Sequence, residues 1–322
     1  MSVCCLYPIY NAFTLYISVF SYLLFAILAI LSLLERKIEW GNSARPGRYL
    51  CMASVSSDPL RLELWQGVIP AIVRLHPSDL TALEAPKPYY VMIPRLAYLG
   101  TVAGELLEHF KDSAPHSNSN EVWFDHQSVP LNWQLPAGVL FDLHGGDSTA
   151  YPWEITIHFL SFPSATLLRS EGDKALEFHF FHSLKQGMYL EHGSSATAMS
   201  MQADEQQRLW LAMCADDAAS FAATDKRLRR TRPSAVPVRL VVDGAPVAQP
   251  FLRMESPADE GGSITVGDVL RKHLSLPTGA FGVRAVCHGV DVPANAPLAE
   301  VWAALAHPDH FLYVTVLPAA SR

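Results

Sequence analysis

The chain has 322 residues, half of them hydrophobic and 17% charged, a composition that fits a globular body of two or three domains and excludes a disordered chain. Its formal net charge of −7 is uneven: residues 1–51 hold Arg36, Lys37, Arg45 and Arg48 against Glu35 and Glu39, a net +2, which leaves −9 on the rest. An acidic body argues against general nucleic-acid binding, which runs on phosphate neutralisation.

From Ala12 to Leu34 there is no charged residue, and the stretch is rich in Leu, Ile, Phe and Tyr. That is long enough to span a bilayer, which needs about 20 apolar residues. Arg36 and Lys37 follow at once and would hold that end in the cytoplasm. The competing reading is an extension attached by a mis-called start codon, because Met52 opens an ordinary polar N-terminus, MASVSSDPLRLELWQG. Composition favours the extension and leaves the anchor open. Of five cysteines, Cys4, Cys5 and Cys51 lie in this stretch and only Cys214 and Cys287 in the body. Two isolated cysteines give neither a disulfide framework nor a CxxC metal spacing and suit a reducing compartment.

The first module is expected over 58–165. Leu62–Leu75 reads as a hairpin or paired strands and Tyr89–Ile93 as another strand. Leu99, Val102, Ala103, Leu106, Leu107 and Phe110 form an apolar stripe at helical spacing. Short strands are expected at Val122–Phe124 and Gly138–Leu143. The closing strand is the clearest element: Trp153, Ile155, Ile157 and Phe159 alternate with Glu154, Thr156 and His158, between Pro152 and Pro163. Hairpin, one helix and further strands is the order of a β-grasp.

Residues 166–232 read as helical. Leu176, Phe180, Leu184 and Met188, four apart, make one buried stripe. A second helix carries Asp204 and Glu205 early and Leu209, Trp210 and Met213 inward. A third opens at Asp216–Asp217 and closes on Lys226, Arg227, Arg229 and Arg230, acid first and base last as the helix dipole prefers. That basic end suits solvent better than acidic lipid headgroups.

Residues 233–318 repeat the first order. Val236, Val238, Leu240 and Val242 alternate before an Asp243–Gly244 turn. Thr265 and Asp268 form a capping box ahead of Val266, Val269, Leu270 and Leu274, and strands are expected at Val283–Cys287 and Phe311–Leu317. The expected fold class is therefore α+β: two ubiquitin-like β-grasp domains flanking a helix-rich domain, with residues 1–57 an apolar N-terminal extension.

Catalytic patterns are weak. His144-Gly145-Gly146 and Gly146-Asp147-Ser148 begin like hydrolase elements, but Ala150 stands where the closing glycine of GxSxG must be, so a turn between strands explains them better. His179 with His182, and His307 with His310, lack a third ligand at recognisable spacing. No nucleotide-binding glycine pattern occurs, so neither a cofactor nor a metal is expected. The chain ends PAASR, without the C-terminal glycine of a ubiquitin-like modifier, and Cys214 has no catalytic setting. Lys185 is a possible acceptor of such a modifier, placed at an expected helix end before Gly187 and beside Phe181 and Leu184. A lysine amine, with an ordinary pKa of about 10.4, must be neutral to attack a thioester. On physics alone, a lysine stabilising the helix C-terminus is the better reading, since the body has five other lysines.

The segments LWQGVIPAIVRL (64–75), PYYVMIPRLAYL (88–99), EVWFDHQSVPLNWQLPAGVLFDL (121–143), PWEITIHFLSFP (152–163), FFHSLKQGMYL (180–190) and HPDHFLYVTVLP (307–318) resemble the autophagy protein 5 family. The likeness runs from about residue 60 to the C-terminus and leaves out the first 51 residues. It implies two ubiquitin-like domains around a helical one and no catalytic residue. Lys185, in FFHSLKQGMYL, falls at the family's acceptor position for the C-terminal glycine of the ubiquitin-like autophagy protein 12. The resemblance further implies that the conjugate binds a helix of autophagy protein 16. It would then stimulate, like an E3 ligase, transfer of autophagy protein 8 from its conjugating enzyme to phosphatidylethanolamine. The implied location is cytoplasmic and peripheral at the membrane of the forming autophagosome, with integral anchoring only through residues 12–34. Gly187 and a Ser/Ala/Gly-rich loop expected over Glu191–Ser200 depart mildly from the family pattern. That loop is expected to be mobile.

Overall fold

The computed structural model describes residues 59–114, 122–145, 151–170, 174–229, 233–253, 263–274 and 282–318. The apolar segment 12–34 and the glycine-rich 146–150 lie outside them. Among the described residues, no helix is long and apolar enough to cross a membrane.

The described residues begin with a short helix α1 (Pro59–Trp65), not the first arm of a hairpin. Arg61, Leu64 and Trp65 are buried while Leu62 is exposed, an i, i+3, i+4 face. Arg61 Nε donates to the Ala303 carbonyl at 2.9 Å, tying α1 to the far domain. Strand β1 (Val68–Leu75) follows and pairs antiparallel with β2 (Tyr89–Pro94). The stripe from Leu99 begins as one 3-10 turn and continues as α2 (Ala103–Phe110), which buries Leu106 and Phe110. Strands β3 (Trp123–His126) and β4 (Val129–Pro130) join through Gln127 and Ser128, both at positive φ, and Asp125 Oδ1 accepts from the Ser128 amide at 3.2 Å.

The strand expected over Gly138–Leu143 is instead a helix, α3 (Ala137–His144). Its residues from Ala137 to Asp142 are all buried, so the run carries no polar face from which a period is readable. β5 (Trp153–His158) then lies between β1, parallel, and β3, antiparallel, giving the sheet order β2-β1-β5-β3-β4. Trp153, Ile155, Ile157 and Phe159 are buried as expected, and Glu154 is exposed. His158 is buried too, because Asp125 and Trp123 cover it.

Four helices follow: α4 (Ala175–His192), α5 (Ala196–Met199), α6 (Ala203–Cys214) and α7 (Ala218–Asp225). Phe180, Leu184 and Met188 of α4 pack with Leu209, Met213 and Phe221, and each such side chain contributes about 1.5–3 kcal/mol by leaving water. α4 does not stop at Gly187. It runs to Gly193, whose φ of 72° supplies the left-handed end that glycine accepts. Part of the expected Glu191–Ser200 loop is therefore the last turn of α4, and part is α5, which buries Ala198.

The last domain comprises β6 (Ala235–Val242), β7 (Phe251–Arg253), α8 (Val266–His273), β8 (Val283–Cys287), β9 (Val290–Val292), α9 (Leu298–Leu305) and β10 (Leu312–Pro318). Its sheet order, β7-β6-β10-β8-β9, with β6 and β10 parallel, repeats that of the first domain. The Thr265–Asp268 capping box forms as read. Val236, Val238 and Leu240 face α8 and α9, while Val241, Phe311 and Tyr313 on the other face join the core of the first domain. The domains are also linked by Asp142, which accepts from Arg95 at 2.8 Å and from the Gly289 amide at 2.6 Å.

Candidate functional site

Lys185 sits on α4 two turns before its end, so the reading of it as a terminal lysine is corrected. Two faces of this helix are buried. Phe180, Phe181, Leu184 and Met188 enter the helical core, so Phe181 and Leu184 turn away from solvent and do not flank the amine. Ser183, Gly187 and Glu191 enter the joint with the last domain. What remains outside is a stripe of Phe178, His182, Lys185, Gln186 and Tyr189. Phe178 is 59% and Tyr189 60% exposed. Lys185 is half-buried among them, and no hydrogen bond or ion pair engages it among the described residues. Beside it lies a shallow groove of about 320 Å³ lined by His182, Lys185, Gln186, Tyr189, Ser195 and Gln249 among others.

The joint under this stripe fixes where the lysine points. Arg239 on β6 donates to Tyr313 Oη at 2.6 Å, Ser183 Oγ at 3.2 Å and Gln186 Oε1 at 3.2 Å, with its guanidinium 3.9 Å from the centre of the Phe311 ring. Asp309 accepts from Tyr313 Oη at 2.8 Å and lies 3.7 Å from Arg239. A Cβ on Gly187 would meet the Asp309 carbonyl at 2.6 Å, so this glycine serves close approach of helix and loop.

One turn further, His310 lies between two carboxylates, Glu191 at 2.9 Å and Asp225 at 3.0 Å, and Arg229 pairs with Asp225. Burial pushes Glu191 up, but His192 and His310 outweigh it and bring it to about 2. Burial likewise opposes the charge on Asp225, yet Arg229 and His310 hold it below the usual carboxylate range. Burial pulls His310 down, and the two carboxylates still raise it above its ordinary value. These groups are ionised partners in a dry joint, where charge pairs interact strongly.

Other candidates separate from this site. His179 faces the Gln134 carbonyl at 2.9 Å, His182 is exposed at the groove, and His307 contacts the Leu96 carbonyl at 2.9 Å, so among the described residues neither histidine pair, set aside as a metal site from the sequence, converges on a third ligand. The glycine-rich 144–150 segment follows helix α3 and not a strand, and Ser148 lies outside the described residues. Burial pushes the Cys214 thiol up to about 11 and raises that of Cys287 further, the opposite of an activated nucleophile. In the basic cluster, Arg227 grips Glu205 at 2.9 and 2.8 Å, which leaves less charge for a lipid surface. Arg239 and Asp309 escaped the sequence reading, and His310 entered it only as half of a histidine pair with His307. Arg239 falls between the valines of a period-two strand, where a polar residue reads as solvent-facing, and nothing local marks the reverse.

Three family models match the chain in order: "Autophagy protein ATG5, UblA domain" over 64–159, the same protein's alpha-helical bundle region over 173–231, and its UblB domain over 235–316. A Drosophila melanogaster relative named Autophagy protein 5 is 30% identical over 261 residues, spanning 79% of this chain and 94% of that one. The chain belongs to the autophagy protein 5 family. The Arabidopsis thaliana Autophagy protein 5 is 34% identical over 166 residues, 52% of this chain, and there the chain spans about half of the relative, 49%. The crystal structure of Kluyveromyces marxianus Atg5 matches with a TM-score of 0.69 and 22% identity, covering 80% of this chain and 98% of that one, which carries the fold. The two ubiquitin-like domains and the helical region between them are thus the architecture of the family.

Proposed function

We propose that the protein is a non-catalytic scaffold of the autophagy conjugation machinery and that Lys185 accepts the C-terminal glycine of the ubiquitin-like autophagy protein 12. The observation that carries this reading is the setting of Lys185: an unpaired amine beside a groove, on a helix held in place along two faces. In the reaction, the lysine nitrogen attacks the thioester carbonyl of the activated modifier. The C–N bond forms, the C–S bond breaks, the conjugating enzyme's cysteine leaves as thiolate, and the amine proton passes to solvent. The exposed ring of Tyr189 beside the amine, and that of Phe178 two turns back on the same stripe, give the incoming partner apolar surface. On this reading the conjugate engages a helix of autophagy protein 16. It then promotes, as an E3-like factor, transfer of autophagy protein 8 from its conjugating enzyme to phosphatidylethanolamine at the forming autophagosome.

The test is an immunoblot of cells expressing wild type and Lys185→Arg. The expected result is a heavier band that survives boiling in reductant and is absent from the variant. A band that persists in the variant places the bond on another lysine. No heavier band in either supports an adaptor that works without covalent conjugation.

A further inference from the structure

We propose that the first ubiquitin-like domain carries a divalent-cation site of the zinc class, formed by His76, Asp79 and His158 and independent of the lysine-bearing groove. The sequence reading expected no metal, and His158 lies far along the chain from His76 and Asp79. One potential ligand atom from each lies within 4.8 Å of the other two. The fold brings them together where β1 and β5 end side by side. His76 follows β1 directly, its amide donating to the Ile157 carbonyl at 3.1 Å, and His158 closes β5. Asp79 reaches across, its Oδ2 accepting from the amides of Phe159 at 2.6 Å and Leu160 at 3.2 Å.

The second layer of His158 is already in place. Asp125 Oδ2 lies 2.5 Å from His158 Nε2, and a carboxylate there takes the Nε2 proton and leaves the Nδ1 lone pair for an ion. Ser78 lies against His76 Nδ1, its hydroxyl at 2.6 Å and its amide donating at 3.2 Å, so His76 must give up this bond and turn its ring to offer an ion a lone pair. The Trp123 ring stacks on His158 at 3.7 Å and 11°, and the His76 ring covers its other side at 4.3 Å.

Charge points the same way. Asp79, 1% exposed, and Asp125 are buried carboxylates, and among the described residues neither forms an ion pair with a lysine or arginine. A divalent cation would add a charge partner to carboxylates that rest on hydrogen bonds, Asp79 on the Phe159 and Leu160 amides and the Ser78 hydroxyl, Asp125 on the Ser128 amide and His158. Two imidazoles and a carboxylate suit zinc, whose bonds of about 2.0–2.2 Å ask for donors roughly 3.3 Å apart. The half-buried ring of His76 closes that gap by rotation and opens the way in. Three protein ligands leave a fourth position for water. The site would pin the ends of the two central strands.

The experiment is equilibrium dialysis of the chelator-stripped full-length protein against zinc, for wild type, His76→Ala and the control His109→Ala. Because losing a ligand costs more than losing a second-layer partner, whose loss weakens binding about 10–100-fold, His76→Ala is expected to bind about a hundredfold more weakly or worse. Wild type and His109→Ala are expected to take up one zinc per chain. Melting curves in chelator establish that the variants are folded, and cobalt substitution reads out the site by a visible absorption band that His76→Ala lacks. Absence of zinc from wild type overturns the proposal, and so does equal uptake by folded His76→Ala.

Discussion

The two sheets share one strand order but meet different surroundings. The first keeps much of its outer face toward solvent, with Arg74, Glu154, Tyr90 and Met92 exposed there and Asp125 and His158 covered at one end. The second is covered on both faces, by α8 and α9 on one side and by α3 and α4 on the other. Both first strands carry an arginine on the outer face, Arg74 opposite Thr156 and Arg239 opposite Tyr313. One topology thus puts the same residue type in water or in a dry joint, and what docks on the sheet decides which. The largest expected effect is on the covered arginine. Arg239→Met keeps bulk but leaves Asp309 and Tyr313 without their cation, and breaking a buried pair in this way costs about 3–5 kcal/mol. Urea unfolding of wild type and variant measures it. A loss below about 1 kcal/mol would mean that the joint is hydrated and the contrast between the sheets is false.

The next effect tests the approach of α4 to the second sheet. Gly187→Ala puts a methyl 2.6 Å from the Asp309 carbonyl, a backbone atom with little room to yield. Overpacking of this kind costs about 1–3 kcal/mol. If the joint positions Lys185, amide hydrogen exchange across Ser183–Glu191 should also quicken. Gly193→Ala serves as control, because nothing stands within 4 Å of its Cβ and only the left-handed backbone is strained.

Titration separates the sheets in a third way. Glu191, at about 2 in the folded chain, lies below its unfolded value, so its contribution is present above that value and is lost as pH falls toward 2. Asp225 and Asp309 share that direction. His310 lies above its unfolded value, so its contribution is full below about 6.5 and disappears as pH rises through the folded value. Stability is therefore expected to fall on both sides of the window between the carboxylate range and the histidine range. In His310→Gln the alkaline decline should vanish, a change read from urea midpoints against pH. An unchanged alkaline limb in that variant would assign the decline to another group.

The same contrast explains which elements the sequence disclosed. β5 and α8 were legible because each has one buried face: Trp153, Ile155 and Ile157 against exposed Glu154, and Val269 and Leu270 behind a Thr265–Asp268 cap. α3 was not, since Ala137 to Asp142 are buried all round and an apolar run without a polar face has no period. α9, between β9 and β10, went unread, although Leu298, Val301, Trp302 and Leu305 have helical spacing, because Ala299, Ala303 and Ala304 blur its polar side. Gly187 looked like a helix stop, and only the Asp309 loop, more than a hundred residues away, makes it a packing glycine. Lys185 was singled out by family resemblance. Its local sequence equally fitted a lysine stabilising a helix end, and the groove beside it needs Gln249 from the other domain.

The smallest expected effect falls on the open sheet. Arg74 is 53% exposed and its nearest carboxylate, Glu154, lies 3.9 Å away and is still more exposed. An ion pair in that setting gains little, because water screens both charges and holding two long side chains together costs entropy. Arg74→Ala is therefore expected to change stability by no more than about 0.5 kcal/mol, and what effect there is should shrink further as salt is raised. The useful quantity is the difference from Arg239→Met under identical conditions. A large loss at Arg74 would mean that the first sheet's outer face is covered in solution by something that buries it, as α3 and α4 bury the second. The two sheets would then differ in the identity of their cover and not in having one.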